Sequence, residues 1–206
     1  MQSIHTPRIN TRYWLAILFA SIFGTNLGDL YAHDSGLGIW RGLAVLAAFA
    51  AGVFALERRS AYRTEAFYWL VILVIRTGAT NIADFLSFRA HITAVPLPLW
   101  MMLWVVFFSV VISLSGRLTT WIDERAAEQR LCARAPFWTA MLGAGIFGTI
   151  LGDVCSKAVG GSLASASLFA LFIGALTLRR RCSASVLGFW LVVAVARTAG
   201  TAMGDW

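Results

Sequence analysis

Residues 14–29 read WLAILFASIFGTNLGD, an apolar run that ends on a carboxylate. The same frame recurs at 69–84, 138–153 and 190–205, each copy running fifteen residues from its Trp to its Asp. Thr stands four residues before every one of these acids: Thr25 before Asp29, Thr80 before Asp84, Thr149 before Asp153 and Thr201 before Asp205. Small residues stand one and five places before it, as Gly28 and Gly24, Ala83 and Ala79, Gly152 and Gly148, Gly204 and Gly200. An ionisable group inside a membrane-length apolar stretch is expensive, so a functional role is its default reading. Four copies at one spacing mark an internal repeat.

The rest of the chain fits that setting. It is 59% hydrophobic and 13% charged over 206 residues, with a mean hydropathy of +0.73. A helix needs about 20 apolar residues to cross about 30 Å of hydrocarbon. Seven stretches qualify, at 13–33, 37–56, 66–88, 95–116, 136–157, 161–178 and 185–206. In lipid only helices and closed barrels satisfy their own backbone, and the period-two alternation of barrel strands is absent. The expectation is an all-α integral membrane protein, a seven-helix bundle. The first stretch does not read as a secretory signal, because it is long, contains Asn26 and Asp29, and lacks a cleavage pattern.

Charge placement follows topology and gives no reason to expect nucleic acid as a partner. Of the 17 Lys and Arg, twelve fall on one side if every stretch spans: Arg8, Arg12, Arg58, Arg59, Arg63, Arg117, Arg125, Arg130, Arg134 and Arg179 to Arg181. Three fall on the other, Arg41, Arg89 and Lys157, and Arg76 and Arg197 lie within spans. The positive-inside rule then puts the N-terminus in the cytoplasm and, after seven spans, the C-terminus outside. Cys132, Cys155 and Cys182 form no C-x-x-C pair. Cys155 needs only a packing role.

The repeats alternate in flavour. The first and third contain Ile-Phe-Gly-Thr (22–25, 146–149), whereas the second and fourth carry Arg76-Thr77 and Arg197-Thr198. The chain divides into a first half at 1–116, a polar cytoplasmic connector at 117–135 and a second half at 136–206, all within one structural unit. One helix separates consecutive motif helices, so the four motif helices run the same way, as parallel helix-pair repeats with the last one incomplete. Fifteen residues place each Asp about 22 Å beyond its Trp, which puts the four acids in one layer toward the outer face. The nine Trp read mainly as interfacial anchors.

Residues four apart share a helix face. Arg76, Thr80, Asp84 and Arg197, Thr201, Asp205 therefore form stripes, matched by Ser21, Thr25, Asp29 and Gly145, Thr149, Asp153. Beside each stripe, small residues four apart let helix backbones approach closely in lipid. Such packing would turn the stripes into a shared interior. Carboxylate and hydroxyl oxygens suit hard cations, so Asp29, Asp84, Asp153 and Asp205 are candidate ligands of a divalent metal or an organic cation. Thr25, Thr80, Thr149, Thr201, Asn26 and Asn81 would add oxygens, and Arg76 and Arg197 would balance charge or gate. No His or Cys set accompanies the acids, which disfavours zinc. No nucleophile elbow, P-loop or metalloprotease helix is present, so no enzyme is expected.

The repeats, best kept as Phe23-Gly-Thr-Asn-Leu-Gly-Asp29 and Thr198-Ala-Gly-Thr-Ala-Met-Gly-Asp205, resemble a bacterial family of uncharacterised membrane-anchored proteins with a repeat of unknown function. The resemblance covers nearly the whole chain except the connector, and departs from the pattern at Ala83. It implies an inner-membrane protein of repeated helix pairs and supplies no substrate. Two functions follow as expectations. One is a small transporter or permease of a cation in contact with the lipid bilayer. The other is a non-transporting scaffold in which Asp and Arg only lock helices together. A homo-oligomer is compatible with either, and the only cofactor that would enter is a divalent cation.

Overall fold

The computed structural model describes residues 6–31, 36–60, 64–89, 135–181 and 186–206. These form six helices: α1 (Thr11–Asp29), α2 (Gly38–Arg59), α3 (Ala66–Arg89), α4 (Ala135–Val159), α5 (Gly161–Arg181) and α6 (Val186–Gly204). The expected all-helical architecture is present, but the expected count of seven is not supported among the described residues. The span expected at 95–116 and the connector up to residue 134 lie outside them. Among the described residues, four helices are long and apolar enough to cross a membrane: Gly38–Arg59, Ala66–Ser87, Phe137–Val159 and Gly161–Arg179.

The four motif helices close a ring. α1 packs on α3, α3 on α4, α4 on α6, and α6 back on α1, while α2 lies outside against α3 and α5 outside against α6 and α4. Small residues set the register. A Cβ at Gly28 would sit 2.7 Å from Cβ of Thr80, and one at Gly24 would overlap the Arg76 side chain. Moving four residues along α1 thus moves four along α3, so the helices run parallel. The same step relates Gly148 and Gly152 of α4 to Arg197 and Thr201 of α6, with virtual contacts of 2.5 and 2.8 Å. It relates Gly200 and Gly204 of α6 to Ser21 and Thr25 of α1 as well. Each repeat presents its small pair to the stripe of the next, and the fourth presents its pair to the first.

The second repeat carries Ala79 where the others have Gly, and the exception has a partner. Ala79 faces Gly145, the one stripe position without a side chain, where a Cβ would fall 2.7 Å from Cβ of Ala79. Volume has moved from one helix to the other. Burial by water exclusion does not join helices in lipid, so this close van der Waals fit is what holds the ring.

The outer helices face the surroundings with apolar side chains. Trp40, Phe49 and Leu56 of α2 are exposed, as are Leu163, Leu171 and Leu178 of α5 and Phe19 and Phe23 of α1. An apolar exterior around a polar-striped centre is the pattern of a bundle in hydrocarbon. Gly160, at φ 89°, makes the turn that joins α4 directly to α5. Ser165 then ties α5 to α6, its hydroxyl donating to the Ala202 carbonyl at 2.6 Å.

Candidate functional site

The ring axis is lined by three layers, and the innermost was not anticipated. Each motif Trp is preceded by another aromatic: Tyr13, Tyr68, Phe137 and Phe189, all buried at the N-terminal end of the ring. Each of these rings packs on the Trp of the next repeat. The centroid separations are 5.7 Å for Tyr13–Trp69, 5.5 Å for Tyr68–Trp138, 5.9 Å for Phe137–Trp190 and 5.4 Å for Phe189–Trp14. Eight aromatics thus plug one end, and the hydroxyls of Tyr13 and Tyr68 share a hydrogen bond of 2.9 Å inside it. The reading of Trp14 and Trp190 as interfacial anchors is corrected, since both are buried by the ring packed against them.

The middle layer holds both span arginines, each with 0% exposure. Arg76 reaches the centre and touches all three other motif helices. Its Nη1 donates to Thr149 Oγ1 at 2.6 Å and to the Gly145 carbonyl at 3.2 Å. Its Nη2 donates to Thr25 Oγ1 at 2.6 Å and to Thr201 Oγ1. Three of the four repeat threonines therefore serve a guanidinium. Two of them pass their own protons to carbonyls one turn back, Thr25 to Ser21 at 3.0 Å and Thr201 to Arg197 at 3.2 Å. Thr80 donates to the Arg76 carbonyl at 3.3 Å. Of the four threonines expected as auxiliary cation ligands, Thr25, Thr149 and Thr201 are engaged in this clamp and Thr80 is turned back onto its own helix.

Arg197 takes the opposite direction. Its Nη1 donates to Ser21 Oγ at 3.2 Å, and the Tyr13 and Tyr68 hydroxyls lie within its electrostatic reach. Arg76 lies within electrostatic reach of Asp29, Asp153 and Asp205. The two guanidiniums also feel each other. Like charges in one core separate along the axis, one toward the acids and one toward the plug.

The outer layer is the four acids. Asp29, Asp84 and Asp153 are half-buried and Asp205 is exposed, so this end of the ring is an open mouth. Asp153 and Asp205 stand within hydrogen-bonding reach of each other, and Asp84 acts electrostatically on Asp153. Among the described residues no three His, Cys, Asp or Glu side chains gather as a metal ion requires. The divalent-metal ligand set expected from Asp29, Asp84, Asp153 and Asp205 thus does not assemble among the described residues, although Asp153 and Asp205 come within hydrogen-bonding reach. Of the two asparagines, Asn26 is exposed and donates back to the Ile22 carbonyl at 3.0 Å. Asn81 is fully buried, and neither its amide nitrogen nor its oxygen has a hydrogen-bond partner.

The geometry defines a helical membrane bundle with a polar axis closed at one end and acid-rimmed at the other. Residues 12–62, spanning the first motif helix and its outer partner, match the family described as Repeat of Unknown Function (DUF347). No curated protein and no solved structure matches the chain.

Proposed function

We propose that this chain is a small inner-membrane permease of a bacterium, N-terminus cytoplasmic, that takes an organic cation at the acidic mouth. Asp29, Asp84, Asp153 and Asp205 form the binding rim. Asn81, one turn from Asp84 on the same helix, offers an unsatisfied amide that a cation or its polar substituents would engage. The observation that carries the reading is Arg76: a fully buried guanidinium beneath four acids, held by hydroxyls and a carbonyl with no ion pair among the described residues.

That arrangement makes Arg76 a tethered cation. A substrate cation entering the rim competes with it for the field of the same acids. Release of the guanidinium from Thr25, Thr149 and Thr201 would then unlock contacts between all four helices at once. Arg76 serves as the gate, and the aromatic layer as the inner seal. An organic cation is favoured over a divalent metal because no three acids gather as a metal ion requires among the described residues.

Uptake of a panel of labelled organic cations by proteoliposomes tests this. The expected result is saturable uptake by wild type that is lost in Asp153→Asn/Asp205→Asn. The helix-locking reading draws on the bonds from Arg76 to three other helices. It predicts no uptake by wild type and lower stability in the same variant.

A further inference from the structure

Arg197 is the second buried guanidinium, and its bonding is incomplete. Ser21 takes Nη1, but Nε and Nη2 are buried and have no hydrogen-bond partner. Those two atoms share one edge of the planar group. That edge presents two parallel N–H donors, matched in spacing to the two oxygens of a carboxylate. The surroundings leave one further donor. The Ser21 hydroxyl spends its proton on the Ile17 carbonyl at 2.8 Å. The Tyr13 and Tyr68 hydroxyls, hydrogen-bonded to each other, have one proton left between them for a further acceptor.

No acid of the described residues pairs with this guanidinium. The four rim acids lie beyond the Thr layer, on the far side of Arg76. An unpaired buried cation costs several kcal/mol, and a hydrogen-bonding edge left empty adds to that. We infer that Arg197, with the hydroxyls of Tyr13 and Tyr68, is a binding site for a monocarboxylate. The site lies on the ring axis between the Arg76 clamp and the aromatic plug. A singly charged planar anion fits best, since it fills the guanidinium edge with two bonds and its desolvation is far cheaper than that of a dianion. The inference is independent of the permease reading, because it concerns occupancy and not movement.

The probe is acetate, and the readout is the unfolding temperature of the detergent-purified full chain at constant ionic strength. Bound ligand stabilises by mass action. Acetate is expected to raise the unfolding temperature saturably, while chloride and phosphate at equal ionic strength do not. In Arg197→Lys, which keeps the charge and loses the fork, the advantage of acetate over chloride should vanish. Tyr13→Phe/Tyr68→Phe should weaken the apparent acetate affinity several-fold with Arg197 intact. An equal response to chloride, no response to any anion, or an acetate response undiminished in Arg197→Lys overturns the proposal. Should Arg197→Lys not fold, the tyrosine pair decides, and unchanged acetate affinity there overturns it equally.

Discussion

Gly148→Ala tests the ring register most directly. The new methyl would stand 2.5 Å from Cβ of Arg197, 2.8 Å from its carbonyl carbon and 3.0 Å from the Thr198 nitrogen. Comfortable carbon contacts lie at about 3.5–4.0 Å, so α4 and α6 must part by roughly 1 Å there. Two of the three neighbours are backbone, so no rotamer change relieves the clash. Overpacking of this kind costs about 1–3 kcal/mol. Parting also stretches the bonds from Arg76 to Gly145 and Thr149 on α4, worth about 1 kcal/mol more. The better helix propensity of Ala returns up to about 1 kcal/mol. The net expectation is a loss of about 2 kcal/mol, or roughly 4–8 °C in unfolding temperature. Gly174, on α5, has nothing within 4 Å of its virtual Cβ, so Gly174→Ala should be neutral or stabilising by up to about 1 kcal/mol. Thermal unfolding of both purified variants by circular dichroism is the assay. Equal melting of Gly148→Ala and Gly174→Ala would refute the parallel register on which the site is built.

Further outcomes follow from the same contacts. Gly145→Ala alone should destabilise by about 1–2 kcal/mol, and adding Ala79→Gly should recover most of it, a non-additivity read by a double-mutant cycle. Thr149→Val removes an acceptor of Arg76 at 2.6 Å and should cost about 1–3 kcal/mol in denaturant or thermal unfolding. Asp153→Asn removes one acid of the rim, so cation uptake should fall while the fold is kept; lower melting with no uptake in wild type would favour helix locking. Ser165→Ala deletes the 2.6 Å bond to the Ala202 carbonyl and should cost about 1 kcal/mol, with no effect on uptake.

Much of the ring was readable because the repeat states it four times. The spacing of Trp, Thr and Asp gave the shared direction of the helices, and the small pairs beside each stripe foretold close approach. What the stripes touch was harder to see. One-dimensional spacing shows that Thr25, Thr149 and Thr201 share a level with one another, but not that a side chain as long as Arg76 would rise one turn to meet them. The threonines were therefore read as cation ligands when a cation already belonged to the chain. The aromatic plug did leave a signal, the doublets Tyr13-Trp14, Tyr68-Trp69, Phe137-Trp138 and Phe189-Trp190. In a sequence that is 13% aromatic, a doublet stands out little from its background, and Trp by itself fits an interface equally well. Spacing put the four acids in one layer, but one layer is not a coordination shell, and no three of them gather among the described residues.

The alternation of the repeats has a physical cause in the ring. The stripe position eight residues before each Asp points at the small residue of the preceding repeat and then toward the axis. Filling it with Arg four times would place four guanidiniums in one core, with no acid nearer than the rim. The chain fills it as Ser21, Arg76, Gly145 and Arg197, so the charges occupy α3 and α6, which are not neighbours in the ring and meet through the Arg76–Thr201 hydrogen bond. Two cations at opposite corners can still take different partners, and they do: Arg76 rises into the threonines, and Arg197 donates to Ser21 with the tyrosine hydroxyls within its electrostatic reach. The positions vacated between them are then available for size. Gly145 accommodates Ala79, and Ser21 gives Arg197 its one hydroxyl partner. A repeat that began as four equal units would be driven to this two-and-two pattern by Coulomb repulsion alone. The pattern leaves one guanidinium with both terminal nitrogens bonded beneath the acids and the other with an open edge above the plug.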